Sequence, residues 1–183
     1  MKDSNQIRKL VAECKRNNQK AQLQLYELYY QAMFNTAYRI VNDFDDAEDV
    51  MQEAFVKAFS KINTYKEQAK FGAWLKRIVV NEAMQWIRKN KKYVAYGLEV
   101  LDTKVYEEKQ EELPKADVHS LLKALSELKD NYRIIISLYF IEGFDFEEIC
   151  EVMNISYANA RTMLSRAKQK LKQKLIKEYG FTK

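Results

Sequence analysis

Chain breakers are scarce in this sequence: 183 residues contain four glycines and one proline. Glycine and proline are the usual punctuation between elements, so their scarcity argues against a strand-and-turn architecture and points to an all-α chain. The two cysteines, Cys14 and Cys150, lie far apart and offer no disulfide framework. Cys150 falls on an apolar helical stripe, where a buried free thiol is expected. The longest nearly apolar run, Ile134 to Ile141, contains Ser137 and is far short of the roughly 20 residues a membrane span needs. The opening "MKDSNQIRKLVAECKRNN" has no apolar signal-peptide core. A soluble, intracellular protein without membrane insertion is therefore expected. No nucleophile–base–acid set, phosphate loop or metal cluster appears, so neither an enzyme nor a cofactor is expected.

What the sequence does contain is apolar surface and segregated charge. Hydrophobic residues make up 47% and aromatic residues 13%, enough for packed cores in one domain or two small ones. The formal net charge of +5 is modest, but it is unevenly spread. Asp43 to Glu53 holds six acidic residues and no basic one, whereas Lys57 to Lys92 holds ten basic residues against Glu67 and Glu82. Glu99 to Asp117 turns acidic again, and from Ser156 onward Glu178 is the only acid among eight basic residues. Two basic surfaces with acidic ones between them suit a polyanionic partner. A lysine-rich helix face that is merely solvated fits the count as well.

Periodicity places the elements. Residues 4–17 and 19–41 read as helices, the second rich in Leu and Tyr. In "DFDDAEDVMQEAFVKAFSKI", Val50, Met51, Ala54, Phe55, Ala58, Phe59 and Ile62 recur at spacings of three and four, an apolar stripe. Its opening acids suit a helix N-terminus, with Asp45 as the expected cap and Glu48 three residues on. "NTYKEQAK" breaks the pattern as a polar loop, and "FGAWLKRIVVNEAMQWIRKN" resumes it with Phe71, Leu75, Ile78, Val79 and Trp86 inward. Residues 93–117 lose regularity, turn acidic and carry Pro114; they read as a flexible linker. Three or four shorter helices follow from Val118.

The segment from Phe144 to Leu175 divides its charge sharply. Up to Glu151 the charged residues are acidic, and from Ser156 onward they are basic. Phe146, Ile149, Cys150 and Met153 make the apolar face of a short helix. Asn154 stands where the chain turns, because Asn tolerates left-handed backbone better than most residues. Ile155 suits the corner, and Ser156 suits the cap of the next helix. Ala160, Leu164, Ala167 and Leu171 form a thin apolar seam there, while Arg161, Thr162, Ser165 and Arg166 project from another face. Such a pair reads as a helix-turn-helix, with the second helix facing the major groove. An ordinary helical hairpin would show the same seam.

At this point the chain resembles a known family. "RIIISLYFIEGFDFEEICEVMNISYANARTMLSRAKQKLKQKL" is similar to the promoter −35-reading domain of bacterial sigma factors. "DDAEDVMQEAFVKAFSKINTY" with "FGAWLKRIVVNEAMQWIRKNKK" resembles their core-binding and −10-reading domain. The order and spacing resemble the two-domain, extracytoplasmic-function class. This resemblance implies residues 1–92 as sigma domain 2, 93–117 as an acidic linker, and 118–183 as sigma domain 4. It implies a factor that brings RNA polymerase core, through its clamp coiled-coil and its flap, to promoter DNA. That DNA would be met both as duplex and as a melted non-template strand. An anti-sigma factor or another regulator is a further partner the family brings, and a bacterial cytoplasmic, nucleoid-associated location follows from it.

The resemblance also assigns residues. Its clamp-binding motif falls on Asp49, Gln52 and Glu53, with Asp46 on the same stripe. Its −10 pocket falls on the loop bearing Tyr65, Lys66, Gln68 and Lys70 and on Asn81 of the following helix; Arg77, four residues before Asn81 on the same face, is expected to join them. Arg88 and Lys89 suit backbone phosphate. In the recognition helix "NARTMLSRA" keeps the family register at Arg161, Thr162, Leu164, Arg166 and Ala167, but Met163 stands where the family has a basic residue and Asn159 where it has Thr. Arg161 and Arg166 are the expected base-edge contacts, since Arg forks onto guanine, with Thr162 and Ser165 secondary. Tyr157, Asn159, Lys168 and Lys172 are expected at phosphate. Two other readings stand beside this one: a free-standing helix-turn-helix regulator, which would not need the acidic Asp46–Glu53 stripe, and a purely protein-binding scaffold. A carboxylate di-metal bundle is excluded, because it needs Glu-x-x-His pairs and His119 is the one histidine.

Overall fold

A computed structural model describes residues 4–90 and 117–179, which fall in two compact units, one within residues 1–92 and one within 93–183. The expected flexible linker lies almost wholly outside the described residues. Every regular element among the described residues is helical.

In the first unit α1 (Ser4–Lys15), α2 (Gln19–Val41), α3 (Phe44–Ser60) and α4 (Phe71–Asn90) follow one another, with one 3-10 turn at Ile62–Thr64 before α4. Asn18 opens α2 by accepting from the backbone N–H groups of Lys20 and Ala21. Asn42 closes it in the left-handed region, at φ 58°. That turn leaves Asp43 extended, so Asp43 caps α3 by accepting from the N–H groups of Asp45 and Asp46. The cap therefore falls two residues earlier than the expected Asp45, which sits in the first turn instead.

Helices α2, α3 and α4 pack against one another in pairs, and α1 lies on α2. Leu25, Ile40, Ala54, Ala58, Leu75, Val79, Ala83 and Met84 are fully buried between them. Contact with two neighbours widens the buried arc of α4. Val80, Ala83, Met84 and Ile87 join Phe71, Leu75 and Val79 inside, while Ile78 and Trp86, expected inside, are half-buried. Within this arc Glu82 is buried and accepts an ion-paired hydrogen bond from Lys57 of α3. That bond is the main reason the Lys57 ammonium titrates above its usual value.

In the second unit α5 (Val118–Ser126) and α6 (Asp130–Ile136) lead through a π-helical turn, Ser137–Glu142, to α7 (Phe146–Met153) and α8 (Tyr157–Tyr179). The π turn rotates the end of the apolar run: Ile134, Ile135, Ile136 and Leu138 are buried, whereas Phe140 and Ile141 are exposed. Gly143 ends it at φ 76°, a left-handed position that favours glycine. The α5 end and α8 are tied by Lys174 and Glu127 at 3.0 Å. Arg133, though buried, pairs with Asp130 at 2.7 Å. The α8 helix is not short as expected, because its apolar seam continues to Leu175.

Both cysteines are free. Cys14 is buried, and burial, with Glu13 beside it, pushes its thiol up to about 11. Cys150 is half-buried rather than buried. Among the described residues no helix is long and apolar enough to cross a membrane, and no group of three or more His, Cys, Asp or Glu side chains is placed to hold a metal ion.

Candidate protein- and nucleic-acid-binding surfaces

The acidic stripe on α3 is the face left over once Ala47, Val50, Met51, Ala54, Phe55 and Ala58 are buried. Glu48, Asp49, Gln52 and Glu53 all lie exposed on it. Gln52 lies three and four residues beyond Asp49 and Glu48, and Glu53 four beyond Asp49, so their side chains share one side of the helix. The Gln52 amide donates to the Glu48 carboxylate at 3.3 Å, lining up the row. Asp46, expected on the same stripe, is half-buried near the capped end. One apolar side chain continues the row: Val56, one turn beyond Gln52, is exposed.

The loop after α3 departs from expectation at Tyr65. Its ring is buried at 8% exposure against Phe71 and Trp74, with centroids 5.6 and 5.3 Å away. Its hydroxyl donates to the Ala69 carbonyl at 2.6 Å. A tyrosine gains most by burying its ring while its hydroxyl keeps a partner, so Tyr65 builds the loop rather than standing ready to stack on a base. Lys66, Gln68 and Lys70 are exposed around it. Arg77 and Asn81 are exposed one turn apart on α4, opposite the buried Leu75, Val79 and Ala83. Arg88 and Lys89 are exposed in its last turn, where cations also suit the helix dipole. Loop cations, Asn81 and the basic last turn thus lie on or beside one helix, the arrangement a single strand needs for hydrogen bonds and a phosphate track. Sequence reasoning missed the Lys57–Glu82 pair inside this unit. Glu82 interrupts an apolar run, which was the available signal.

In the second unit the turn matches the reading closely. A capping box between Asp145 and Glu148 opens α7. Asn154 ends it at φ 54°, its N–H donating to the Cys150 carbonyl. The Ser156 hydroxyl then accepts from the Asn159 N–H at 3.3 Å and starts α8. Ala160, Leu164, Ala167 and Leu171 are all buried, as the seam predicts. Met163 is buried with them at 8% exposure, which gives a packing reason for an apolar residue where the family register has a basic one. On the outer side Tyr157 and Arg161 are exposed, and Asn159, Thr162, Ser165, Arg166, Lys168 and Lys172 are half-buried. The Tyr157 ring rests 5.4 Å from that of Phe146, so it braces the corner of the turn. The Thr162 hydroxyl is already satisfied by the Ala158 carbonyl at 3.0 Å. Of the four expected base-facing residues, Arg161 is the exposed one.

Comparison with known proteins gives family matches in both units. Residues 25–93 match the family model described as Sigma-70 region 2, and residues 119–171 match that described as Sigma-70, region 4. The chain is similar to the ECF RNA polymerase sigma factor SigM of Bacillus subtilis (strain 168), with 30% identity across 81% of this chain and 91% of that protein. It is 29% identical to the ECF RNA polymerase sigma factor SigW of the same strain, across 92% of this chain and 96% of that one. Among solved structures it resembles the sigma factor RpoE of Bartonella quintana, determined in complex with the anti-sigma factor NepR. There the TM-score is 0.56 at 25% identity, covering 85% of this chain and 96% of that one.

The turn geometry makes Asn154 a testable hinge of the second surface. A β-branched residue at a left-handed position costs about 1–2 kcal/mol, because its Cβ meets the following carbonyl. Asn154→Val is expected to lower the urea midpoint accordingly, and Asn154→Gly to leave it within about 0.5 kcal/mol of the parent. Equal midpoints for the Val and Gly variants would show that the turn does not depend on this conformation.

Proposed function

The chain belongs to the sigma-70 family as an extracytoplasmic-function sigma factor that directs RNA polymerase to promoters, and we propose that its two exposed surfaces divide that work. The observation that carries this reading is the solvent-facing acidic row Glu48, Asp49, Gln52 and Glu53 on a chain that also bears a basic helix-turn-helix. A stand-alone duplex-binding regulator has no use for such a row; a protein that must grip a basic polymerase surface does. Asp49, Gln52 and Glu53 meet the polymerase clamp, with Asp46 at the edge of the contact. The α8 surface reads the −35 duplex, Arg161 and Arg166 at base edges and Lys168 and Lys172 at phosphate. The 66–70 loop with Arg77, Asn81, Arg88 and Lys89 holds the −10 strand as it opens. No covalent chemistry is assigned to the protein; binding energy alone shifts the polymerase toward particular DNA. The factor works in the bacterial cytoplasm at the nucleoid, and an anti-sigma factor is a partner class that would cover one of these surfaces.

The primary test is reconstitution. Purified chain added to core polymerase should give promoter-dependent run-off transcripts that neither gives alone. Duplex binding without any initiation would favour the free-standing regulator. Within this assay, Asp49→Lys with Glu53→Lys should abolish co-purification with core polymerase, since like charges across an interface cost several kcal/mol. Both positions are exposed, so the variant should melt at the parent temperature. Wild-type yield of the complex would reduce the row to a solvated face.

Reading and holding should separate on α8. Arg166→Ala is expected to cost about 1–3 kcal/mol and to relax preference at one or two −35 bases. Lys172→Ala should weaken all sequences alike and reduce the salt slope by about one. Selection of the full chain with polymerase on a duplex library reports both. An unchanged sequence preference for Arg166→Ala would transfer the base contact to Arg161.

Asn81 addresses strand opening. Its amide carries two donors and an acceptor, which suits an unstacked base edge, and it points away from the core of α4. Asn81→Ala should preserve polymerase binding and closed-complex formation yet slow permanganate reactivity of the −10 thymines. Opening at the parent rate would make Asn81 a surface residue without a role in melting.

A further inference from the structure

The loop between α3 and α4 is held in shape from outside by the first helix, and we infer that Lys15 and Arg8 of α1 are positioning residues for base selection by that loop. The inference rests on the proposal above that the Lys66–Lys70 segment reads the −10 strand. Three observations converge on it. The Lys15 ammonium donates to the Tyr65 backbone carbonyl at 3.0 Å, fifty residues away in sequence, and lies 5.9 Å from the centre of the Tyr65 ring. Arg8, two turns earlier on α1, pairs with Glu67 at 3.6 Å. Glu67 itself stands at φ 59°, a region that a residue with a side chain rarely occupies.

These contacts lock the segment at successive points. The Tyr65 N–H donates to the Ile62 carbonyl at 3.2 Å, finishing the 3-10 turn. The Tyr65 hydroxyl closes a ring onto the Ala69 carbonyl, and its aromatic face is fixed by Phe71 and Trp74. That leaves the Tyr65 carbonyl, which Lys15 satisfies, and the left-handed Glu67, whose carboxylate Arg8 holds. A left-handed non-glycine residue persists only where its surroundings hold it there. Lys66, Gln68 and Lys70 are exposed on the segment so tied. Without the two ties the loop gains alternative conformations, and a base pocket on it loses discrimination before it loses affinity, because selectivity depends on fixed donors and acceptors. Neither Lys15 nor Arg8 needs to touch DNA for this.

The test uses the full chain with core polymerase on a promoter library randomised across the −10 element, read by sequencing of run-off transcripts. Lys15→Met keeps the apolar stem and removes the charge and donor. It should reduce base preference within the −10 element about tenfold, the order of one mismatched base, while co-purification with polymerase and −35 preference stay at parent values. Lys15→Arg, which retains a donor and a charge, should restore most of the preference. Arg8→Ala should give a smaller loss in the same direction; Arg8 is exposed, so this variant carries the test if Lys15→Met melts early. Gln68→Ala and Lys70→Ala serve as direct reporters of the loop. If they change −10 preference and the α1 variants do not, the positioning role is overturned and the loop reading stands. If the loop variants leave −10 preference unchanged, the loop reading fails and the positioning role fails with it.

Discussion

The exposed chemistry of the N-terminal unit depends on how α4 is buried. Leu75, Val79, Val80, Ala83, Met84 and Ile87 fill the space that α2 and α3 leave between them. Once that face is inside, the remaining surface of each helix is decided. On α4 it is the Arg77–Asn81 side, and on α3 it is the Glu48–Glu53 side. The buried Glu82 adds direction to this packing, because a carboxylate placed there needs the Lys57 ammonium opposite it and accepts few other rotations of the two helices. The helix proposed to meet polymerase and the helix proposed to meet DNA are thus held in one orientation by a shared apolar core and one ion pair.

The C-terminal unit solves a similar problem with smaller side chains. Ala160 and Ala167 are fully buried, so α8 can approach its neighbours closely and keep its longer residues for the outer face. The corner is held by backbone chemistry: Asn154 in the left-handed region, the Ser156 cap and the Asp145–Glu148 box are local and need no distant contact. Charge then follows function. Acids gather at the start of α7, where they favour the helix dipole, and cations gather along α8, where a polyanion would be met.

Much of this was legible in advance. A buried stripe at spacings of three and four is a property of the order of residues alone, and so is a cap that accepts from an N–H two or three residues on. Hence the bounds of α2 and α4, the exposure of Asp49, Gln52 and Glu53, and the helix-turn-helix corner agree with expectation, whereas the buried face of α4 is rotated from Ile78 and Trp86 toward Val80, Ala83, Met84 and Ile87. The Asp43 cap was missed by two residues, because Asp43 and Asp45 both precede the apolar stripe and only the left-handed closure of α2 at Asn42 fixes where α3 begins.

What the order of residues determined by itself was the helical class, the two apolar-cored units, the separation of charge and the family. The first three follow from periodicity and composition, which are local and additive along the chain; the family follows from the resemblance of the quoted motifs. Tertiary structure decided which polar residues stand outside. Tyr65 reads as a residue of a polar DNA-binding loop until its ring is found buried, Glu82 reads only as one acid in a basic stretch until it is found inside, and Met163 reads as a lost cation until it is found packed in the seam. The clasp of α1 on the 65–67 segment joins residues about fifty positions apart. No periodicity encodes such a contact; it exists because folding brings the two segments within hydrogen-bonding distance.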